Sequence, residues 1–413
     1  MLRSDLGRQA AAAALAVLFL ATGCAAAGHP IPEQPDLARM DTGPFGVDPL
    51  RAPRNDSEAN GRVLESVRMG EAVIDPIEAE PALTFGLGTA ASVPIPTPGQ
   101  AGFLAQPVRA VLEKHGMLAG FSVGGMDADV AANVAVGRAR LLTVMLLRFP
   151  DAAAAQRAAA DIDAVDAAVS PDNVAVRLPE HAGAFAHWRP TVPTLAATLA
   201  DGPFVISLLA GHTAPDLNVL TALARAAFTA QTARLREFTP TPRDKLATLP
   251  LDEAGFLARV LPDVPGVWPV PRVISDRGDE NAGWRTVFRT SGIVYGPRAT
   301  HRYGPWEKSS KTGTMQLARS GTNELVRYAG AVNARAGFVE TAYEVNDPGL
   351  RPAPTPVGVP DVRCVESLTK IKNANRFACR VLFGRYNAIV FARTLKLAHQ
   401  KIAAQYVLLV RSE

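Results

Sequence analysis

The sequence predicts an α+β protein of two tandem domains, each an antiparallel sheet with helices packed on one face. Apolar runs of strand length, such as RLLTVMLLRF at 140–149, alternate with long helical patterns. Two pairs of runs are joined by Asp201-Gly202 and Gly384-Arg385, which indicate β-hairpins, and a helical pattern follows each hairpin. This shared plan is close to a ferredoxin-like βαββα unit and suggests an internal duplication.

Composition sets the class of protein. The chain has 413 residues, of which 48% are apolar, so it is long enough for two domains and is not disordered overall. Its net charge of +4 comes from positive and negative residues mixed along the chain, which argues against a dedicated nucleic-acid binder. We find no dinucleotide, phosphate-loop or metal-ligand spacing, so no cofactor and no metal are expected.

The first residues have the pattern of an export signal. Residues 1–23 combine a basic start with an apolar run too short to span a membrane, and small residues precede Cys24. This resembles a bacterial lipobox, in which the cysteine is lipidated; an ordinary cleavable signal is the alternative. Residues 24–58 are rich in proline and are expected to form a tether.

The first domain is expected over residues 59–240. A helix is predicted from Ser57 to Met69, and another over 106–115. The strand at 140–149 leads into an alanine-rich helix that begins at Pro150 and ends near residue 169. A strand at 173–178, a hairpin of 194–200 with 203–210, and a helix over 216–235 capped by Thr213 complete this domain.

A proline-rich linker is expected over residues 241–272, with one short helix at 251–260. The second domain then spans residues 273–413. Its pattern predicts a strand at 285–295, a helix at 323–336, a hairpin of 377–383 with 386–392, and a last helix at 394–410.

The remaining cysteines, Cys364 and Cys379, are the natural partners of a disulfide in an exported chain. A metal site would need more ligands nearby, and a redox-active pair is more often Cys-x-x-Cys.

Several segments resemble the uncharacterised lipoproteins of mycobacterial and nocardial cell envelopes. The resemblance is carried by the lipobox-like start, by NGRVLES at 60–66, by RFPD at 148–151, and by GRY at 384–386 before AAQY at 403–406. It implies an exported protein held on the outer face of the cytoplasmic membrane, and it implies no activity.

One string has the form of a catalytic motif. Residues 120–125, GFSVGG, match the G-x-S-x-G pattern, which would make Ser122 the nucleophile of an esterase or lipase. That motif needs a strand directly before it and a helix directly after it. The alternative is a glycine-rich loop that leads into the strand at 140–149.

Other candidates are aromatic or acidic. Trp188 with Arg189, and Trp306, are placed in loops where they could line a ligand surface or close the edge of a core. Asp163 and Asp166 share one helical face, for which a solvated acidic face is the common explanation.

Together these features predict a non-enzymatic, lipid-anchored envelope protein that binds an apolar envelope molecule or a protein partner. A serine hydrolase using Ser122 and a purely structural protein are the alternatives.

Overall fold

A computed structural model describes residues 35–87, 92–102, 104–128, 136–273, 290–302, 313–340, 348–369 and 374–413. The predicted signal peptide and Cys24 lie outside these residues. Residues Arg39–Glu413 form one compact unit that contains both sheets.

The first sheet is antiparallel throughout, with strand order β1-β3-β4-β8-β7-β6-β5 and with β2 also paired to β3. Its strands are β1 Phe85–Gly86, β2 Val93–Pro94, β3 Ala119–Met126, β4 Leu141–Arg148, β5 Val174–Val176, β6 Phe185–Trp188, β7 Thr194–Asp201 and β8 Phe204–Gly211. The hairpin β7–β8 turns at Gly202, whose φ of 55° suits the Asp-Gly turn that the sequence predicts.

Helices cover both faces of this sheet. Its helices are α1 Glu58–Met69, α2 Pro76–Ala79, α3 Val108–Lys114, α4 Ala152–Ala167 and α5 Leu217–Leu235. On β4, Val144 packs in the core that contains residues of α1 and α5, whereas Met145 packs in the core that contains residues of α3 and α4. The central strand is therefore buried on both sides, as its unbroken apolar run indicates.

The second sheet repeats the topology of the first. Its order is β11-β12-β13-β17-β16-β15-β14, and a separate two-stranded sheet pairs β9 with β10. The strands are β9 Arg272–Val273, β10 Thr290–Ser291, β11 Ile293–Tyr295, β12 Thr314–Ser320, β13 Asn323–Tyr328, β14 Leu350–Ala353, β15 Val362–Ser367, β16 Phe377–Phe383 and β17 Tyr386–Ala392. In the first sheet β8, which ends the meander β5–β8, lies beside β4 of the hairpin β3–β4. In the second sheet β17, which ends the meander β14–β17, lies beside β13 of the hairpin β12–β13.

The helices of this half are α6 Pro297–His301, α7 Ala331–Glu340 and α8 Leu395–Arg411. Phe383 contacts Tyr406 of α8, with ring centroids 5.6 Å apart, while the Asn387 amide donates to the Ala334 carbonyl of α7 at 3.1 Å. Phe383 and Tyr386 pair across the hairpin and therefore share one face of the sheet. Asn387 is the next residue of β17, so its side chain points to the opposite face. The α+β class with antiparallel sheets is confirmed, but the helices lie on both faces rather than on one, and each repeat is larger than a βαββα unit.

Three local predictions are wrong. Residues 323–336 are the strand β13 followed by α7, because Gly321, at φ 59°, turns β12 tightly into β13. Residues 251–260 hold only a short 3₁₀ turn at Leu257–Arg259, since the Asp252 carboxylate accepts from the backbone N–H groups of residues 256, 257 and 258. Helix α5 is capped by Asp216 rather than by Thr213.

The expected tether is shorter than residues 24–58, because the chain is already packed from Met40. Met40 and Phe45 are buried, the Gln400 amide of α8 donates to Asp41 at 3.0 Å, and Arg411 pairs with Asp48 at 2.8 Å. We name residues 40–50 the N-terminal strap. Two apolar side chains and two polar contacts anchor it in spite of its prolines.

Residues 241–272, named here the connector, are also packed. Leu246 and Leu261 are fully buried, and a Cβ at Gly61 of α1 would lie 2.0 Å from the Leu246 carbonyl oxygen. The Gln405 side chain of α8 accepts from the Leu261 N–H at 2.7 Å. The connector is therefore fixed to both halves of the chain.

An arginine joins the segment after α6 to the loop after α1. The Arg302 side chain is only 1% exposed, and its Nε donates to Asp75 at 2.5 Å. Its two terminal nitrogens donate to the carbonyl oxygens of Gly70 and Val73 at 2.6 and 2.7 Å. Arg298 also contacts Asp75, at 3.2 Å. The two halves are thereby held in one arrangement.

Candidate functional site

Ser122 lies in the middle of a buried strand. It pairs with Met145 of β4 and with Val93 of β2, and its residue surface is fully buried. Within the described residues its hydroxyl oxygen has no hydrogen-bond partner. A nucleophile elbow requires a sharp strand-to-helix turn. Ser122 is not on such a turn, and the glycine-rich segment around it is a strand rather than a loop.

The aromatic candidates fall in different places. Trp188 is the last residue of β6 and packs, partly buried, against the core on the α5 side of the first sheet. Arg189 follows the strand and is partly exposed. Trp306 and Cys24 lie outside the described residues.

Cys364 and Cys379 form a disulfide across β15 and β16, where they are directly opposite each other with Cα atoms 4.1 Å apart. Both residues are buried. The predicted pairing is confirmed, and disulfides of this kind are typical of exported proteins.

A polar cavity lies between α4 and the first sheet, and no motif in the sequence predicts it. His187 is in β6, and its Nδ1 is 2.8 Å from the Asp163 carboxylate. Its Nε2 is 3.6 Å from Asp166. Burial raises the pKa of Asp166; His187 opposes this shift and Asp163 adds to it. The two acids and the histidine come from segments far apart in sequence, so no local pattern joins them.

This cavity encloses about 40 Å³, and hydroxyl side chains from β4, β7 and β8 line it, namely Thr143, Thr198 and Ser207. That is room for only a few water molecules. Among the described residues no group of three histidine, cysteine or acidic side chains could hold a metal ion. The contact of Asp163 with His187 joins α4 to β6 at this cavity.

A larger groove is formed where the connector meets the second sheet. It encloses about 180 Å³ and is lined by Asp263, Val264, Val267, Trp268, Pro269, Val270, Arg272, Ser291, Ser320 and Gly321. We name it the connector groove. Val264, Val267 and Val270 are each more than half exposed, so one wall presents apolar side chains to solvent. Clustered apolar exposure of this kind marks binding surfaces more often than scattered single residues do.

Two glycines bring the backbone close at the base of the groove. Gly292 has φ 67°, and a Cβ there would lie 2.4 Å from the Val270 carbonyl carbon. Gly321 has φ 59°, and a Cβ there would lie 2.5 Å from the Asp263 side chain. Larger residues at either position would push the connector away, so both glycines are required by this close approach.

We name the end of the groove at Arg272, Ser291 and Ser320 its polar end, and this end offers hydrogen-bond donors. The Ser291 oxygen accepts from the Gly321 N–H at 2.7 Å, and the Ser320 oxygen accepts from the Asp263 N–H at 3.2 Å. Arg272 pairs with Ser291 across β9 and β10, is exposed, and has no ion-pair partner in the described part of the chain. The Trp268 indole N–H also lacks an acceptor there.

The acidic side chain at the groove is already paired. Lys401 of α8 lies 3.5 Å from the Asp263 carboxylate and donates to the Phe391 carbonyl at 3.2 Å. Burial lowers the pKa of Lys401, and the attraction of Asp263 opposes that shift. With Lys401 balancing Asp263, Arg272 supplies the unbalanced charge of this end.

The two repeated antiparallel sheets define an α+β protein, and its buried disulfide is typical of exported proteins. The chain belongs to the DUF7373 family, whose domains have no known function: the N-terminal family domain matches residues 52–251 and the C-terminal domain matches residues 256–412. The expectation of an uncharacterised family is confirmed.

No curated protein matches this chain in sequence. Among solved structures, the extracellular domain of PknH from Mycobacterium tuberculosis is similar, with a TM-score of 0.28 and 10% identity. That match covers 47% of this chain and 100% of the PknH domain. No helix in the described part of the chain is long and apolar enough to span a membrane. Membership of the DUF7373 family therefore relates this chain to other proteins but does not indicate an activity.

Proposed function

We propose that this protein is a non-enzymatic, lipid-anchored binding protein on the outer face of the cytoplasmic membrane, and that it holds the apolar part of an envelope molecule in the connector groove. The observation that carries the proposal is the row of exposed valines, Val264, Val267 and Val270, on a connector fixed to both halves of the chain. A binding surface on rigid elements costs little ordering when the ligand arrives.

The anchor is the lipidated Cys24. If the packed unit begins near Met40, the intervening chain of about 15 residues reaches at most about 50 Å, so Met40 would lie within that distance of the membrane. Cys24→Ala should move the protein from the membrane fraction to the soluble fraction. Unchanged fractionation would contradict the anchor and would leave the groove proposal to its own test.

Native mass spectrometry of the Cys24→Ala chain, exported and purified gently from its host, tests the groove. The expected spectrum shows a bound molecule that is lost when the three groove valines are replaced by asparagine. The matched control replaces Val332, Val339 and Val357, which are exposed to a similar or greater extent and lie outside the groove. A bound molecule retained by the groove variant, or a clean apo mass for the unsubstituted chain, would contradict the proposal.

The absence of a catalytic role is tested separately. A fluorophosphonate probe labels an activated serine, and we expect no label at Ser122 because its hydroxyl is buried in mid-strand. Labelling that disappears in Ser122→Ala would favour the serine hydrolase instead.

A further inference from the structure

We infer that the ligand of the connector groove is an amphipathic anion, a molecule with an apolar chain and a carboxylate or phosphate head. This inference rests on the proposed function, because it names the ligand class of the same groove. It is carried by the separation of an apolar wall from an end that offers hydrogen-bond donors and one unbalanced positive charge.

The hydroxyl groups at the base of the groove are left as donors. Each serine oxygen already accepts a backbone N–H, at 2.7 Å for Ser291 and 3.2 Å for Ser320, so each O–H remains to donate. Both serines are buried, and a donor removed from water gains most from an acceptor that carries charge.

Arg272 supplies the charge. Its position opposite Ser291 across β9 and β10 puts the guanidinium and the hydroxyl at the same end of the groove. The Asp263 carboxylate does not neutralise Arg272, because Lys401 pairs with it from α8. An arginine with no partner among the described residues matches the two oxygens of a carboxylate or phosphate in a fork geometry.

The remainder of the groove selects an apolar chain. Val264, Val267 and Val270 have no hydrogen-bonding side-chain atoms, and Pro269 has no backbone N–H to satisfy. A fully polar anion would leave this wall exposed to water, whereas an acyl or alkyl chain would cover it. The groove volume of about 180 Å³ fits the head and the first part of such a chain rather than a whole lipid.

The test is a titration of the Cys24→Ala chain, stripped of bound ligand, with four probes of equal chain length below their micelle concentrations: dodecanoate, dodecyl phosphate, dodecanol and dodecyltrimethylammonium. Isothermal calorimetry measures each dissociation constant. We expect both anions to bind roughly tenfold or more tightly than the alcohol, as a charged hydrogen bond gives, and the ammonium to bind most weakly. The tighter of the two anions then identifies a fatty-acid or a lipid-phosphate head.

Two variants give the test its control. Arg272→Gln should weaken the anions to the level of the alcohol and leave the alcohol unchanged. Arg393→Gln, which alters an exposed arginine outside the groove, should change none of the four. If all four probes bind equally and the groove valine variant abolishes binding, the anion inference is wrong while the proposed function stands. If no probe binds, or if Arg272→Gln leaves the anion preference intact, the inference is overturned.

Discussion

Replacing Arg302 with methionine should destabilise the protein strongly. Methionine keeps much of the length and apolar packing of arginine but removes every donor. The change therefore isolates the polar contacts that Arg302 makes with the loop after α1.

The expected loss of stability follows from the polar groups that lose Arg302 as a hydrogen-bond partner. The Gly70 carbonyl oxygen loses its Arg302 donor, and an unsatisfied buried acceptor costs about 1–3 kcal/mol. The Val73 carbonyl oxygen loses its Arg302 donor at 2.7 Å and keeps only the longer contact with Arg298 at 3.4 Å. Asp75 loses its contact at 2.5 Å but keeps Arg298 at 3.2 Å, so its share is smaller. A loss of about 3–5 kcal/mol in the free energy of unfolding is expected, as for other broken buried pairs.

The assay is urea unfolding of the Cys24→Ala chain followed by far-ultraviolet circular dichroism. Arg225→Met is the matched control, because the Arg225–Glu180 pair is exposed at both side chains and should contribute little to stability. If Arg302→Met loses no more stability than Arg225→Met, the buried contacts of Arg302 do not hold the two halves together and this reasoning is refuted.

Four further changes have distinct expected results. Cys364→Ala removes a disulfide that closes a 15-residue separation and should cost roughly 3 kcal/mol in urea unfolding, with no loss if the bond is absent in solution. Asp166→Asn should raise the stability of the folded protein at neutral pH. Burial raises the pKa of Asp166, so the stability that its protonated form contributes is lost as the pH rises above the ordinary value of 3.8. Asp161→Asn should lower stability at neutral pH. Hydrogen bonds, first from Lys114, lower the pKa of Asp161, so the stability that this carboxylate contributes is lost as the pH falls. Equal responses of the two variants would contradict both assignments. Ser122→Ala should leave the urea midpoint unchanged or raised, because the buried hydroxyl has no partner among the described residues, and a marked drop would mean that the hydroxyl has a partner in solution.

The sequence predicted most elements whose signal is local. The hairpin of 377–383 with 386–392 was predicted with the bounds that the structure has, because Gly384, at φ 52°, fits a tight turn. Residues 323–328 were misassigned because their apolar positions fit a helical spacing as well as a strand that is buried on one side.

Glycine misled the prediction at residues 120–125. Gly120 lies in β3, where there is little room for a side chain, because a Cβ there would lie 2.9 Å from the Leu147 side chain and 3.0 Å from the Leu146 carbonyl oxygen. This close packing of neighbouring strands cannot be read from one segment alone. The polar cavity at His187 and the connector groove also cannot be read from one segment alone. The connector groove combines residues 263–272 with residues 291, 320 and 321, and only the fold brings them together.

The N-terminal strap has a consequence for the order in which the chain assembles. Asp41, Phe45 and Asp48 contact Gln400, Lys401 and Arg411 of α8, and Asp41 precedes Gln400 by 359 residues. The strap is therefore synthesised long before the helix on which it docks. Its docking on α8 therefore comes as a late step of folding during synthesis.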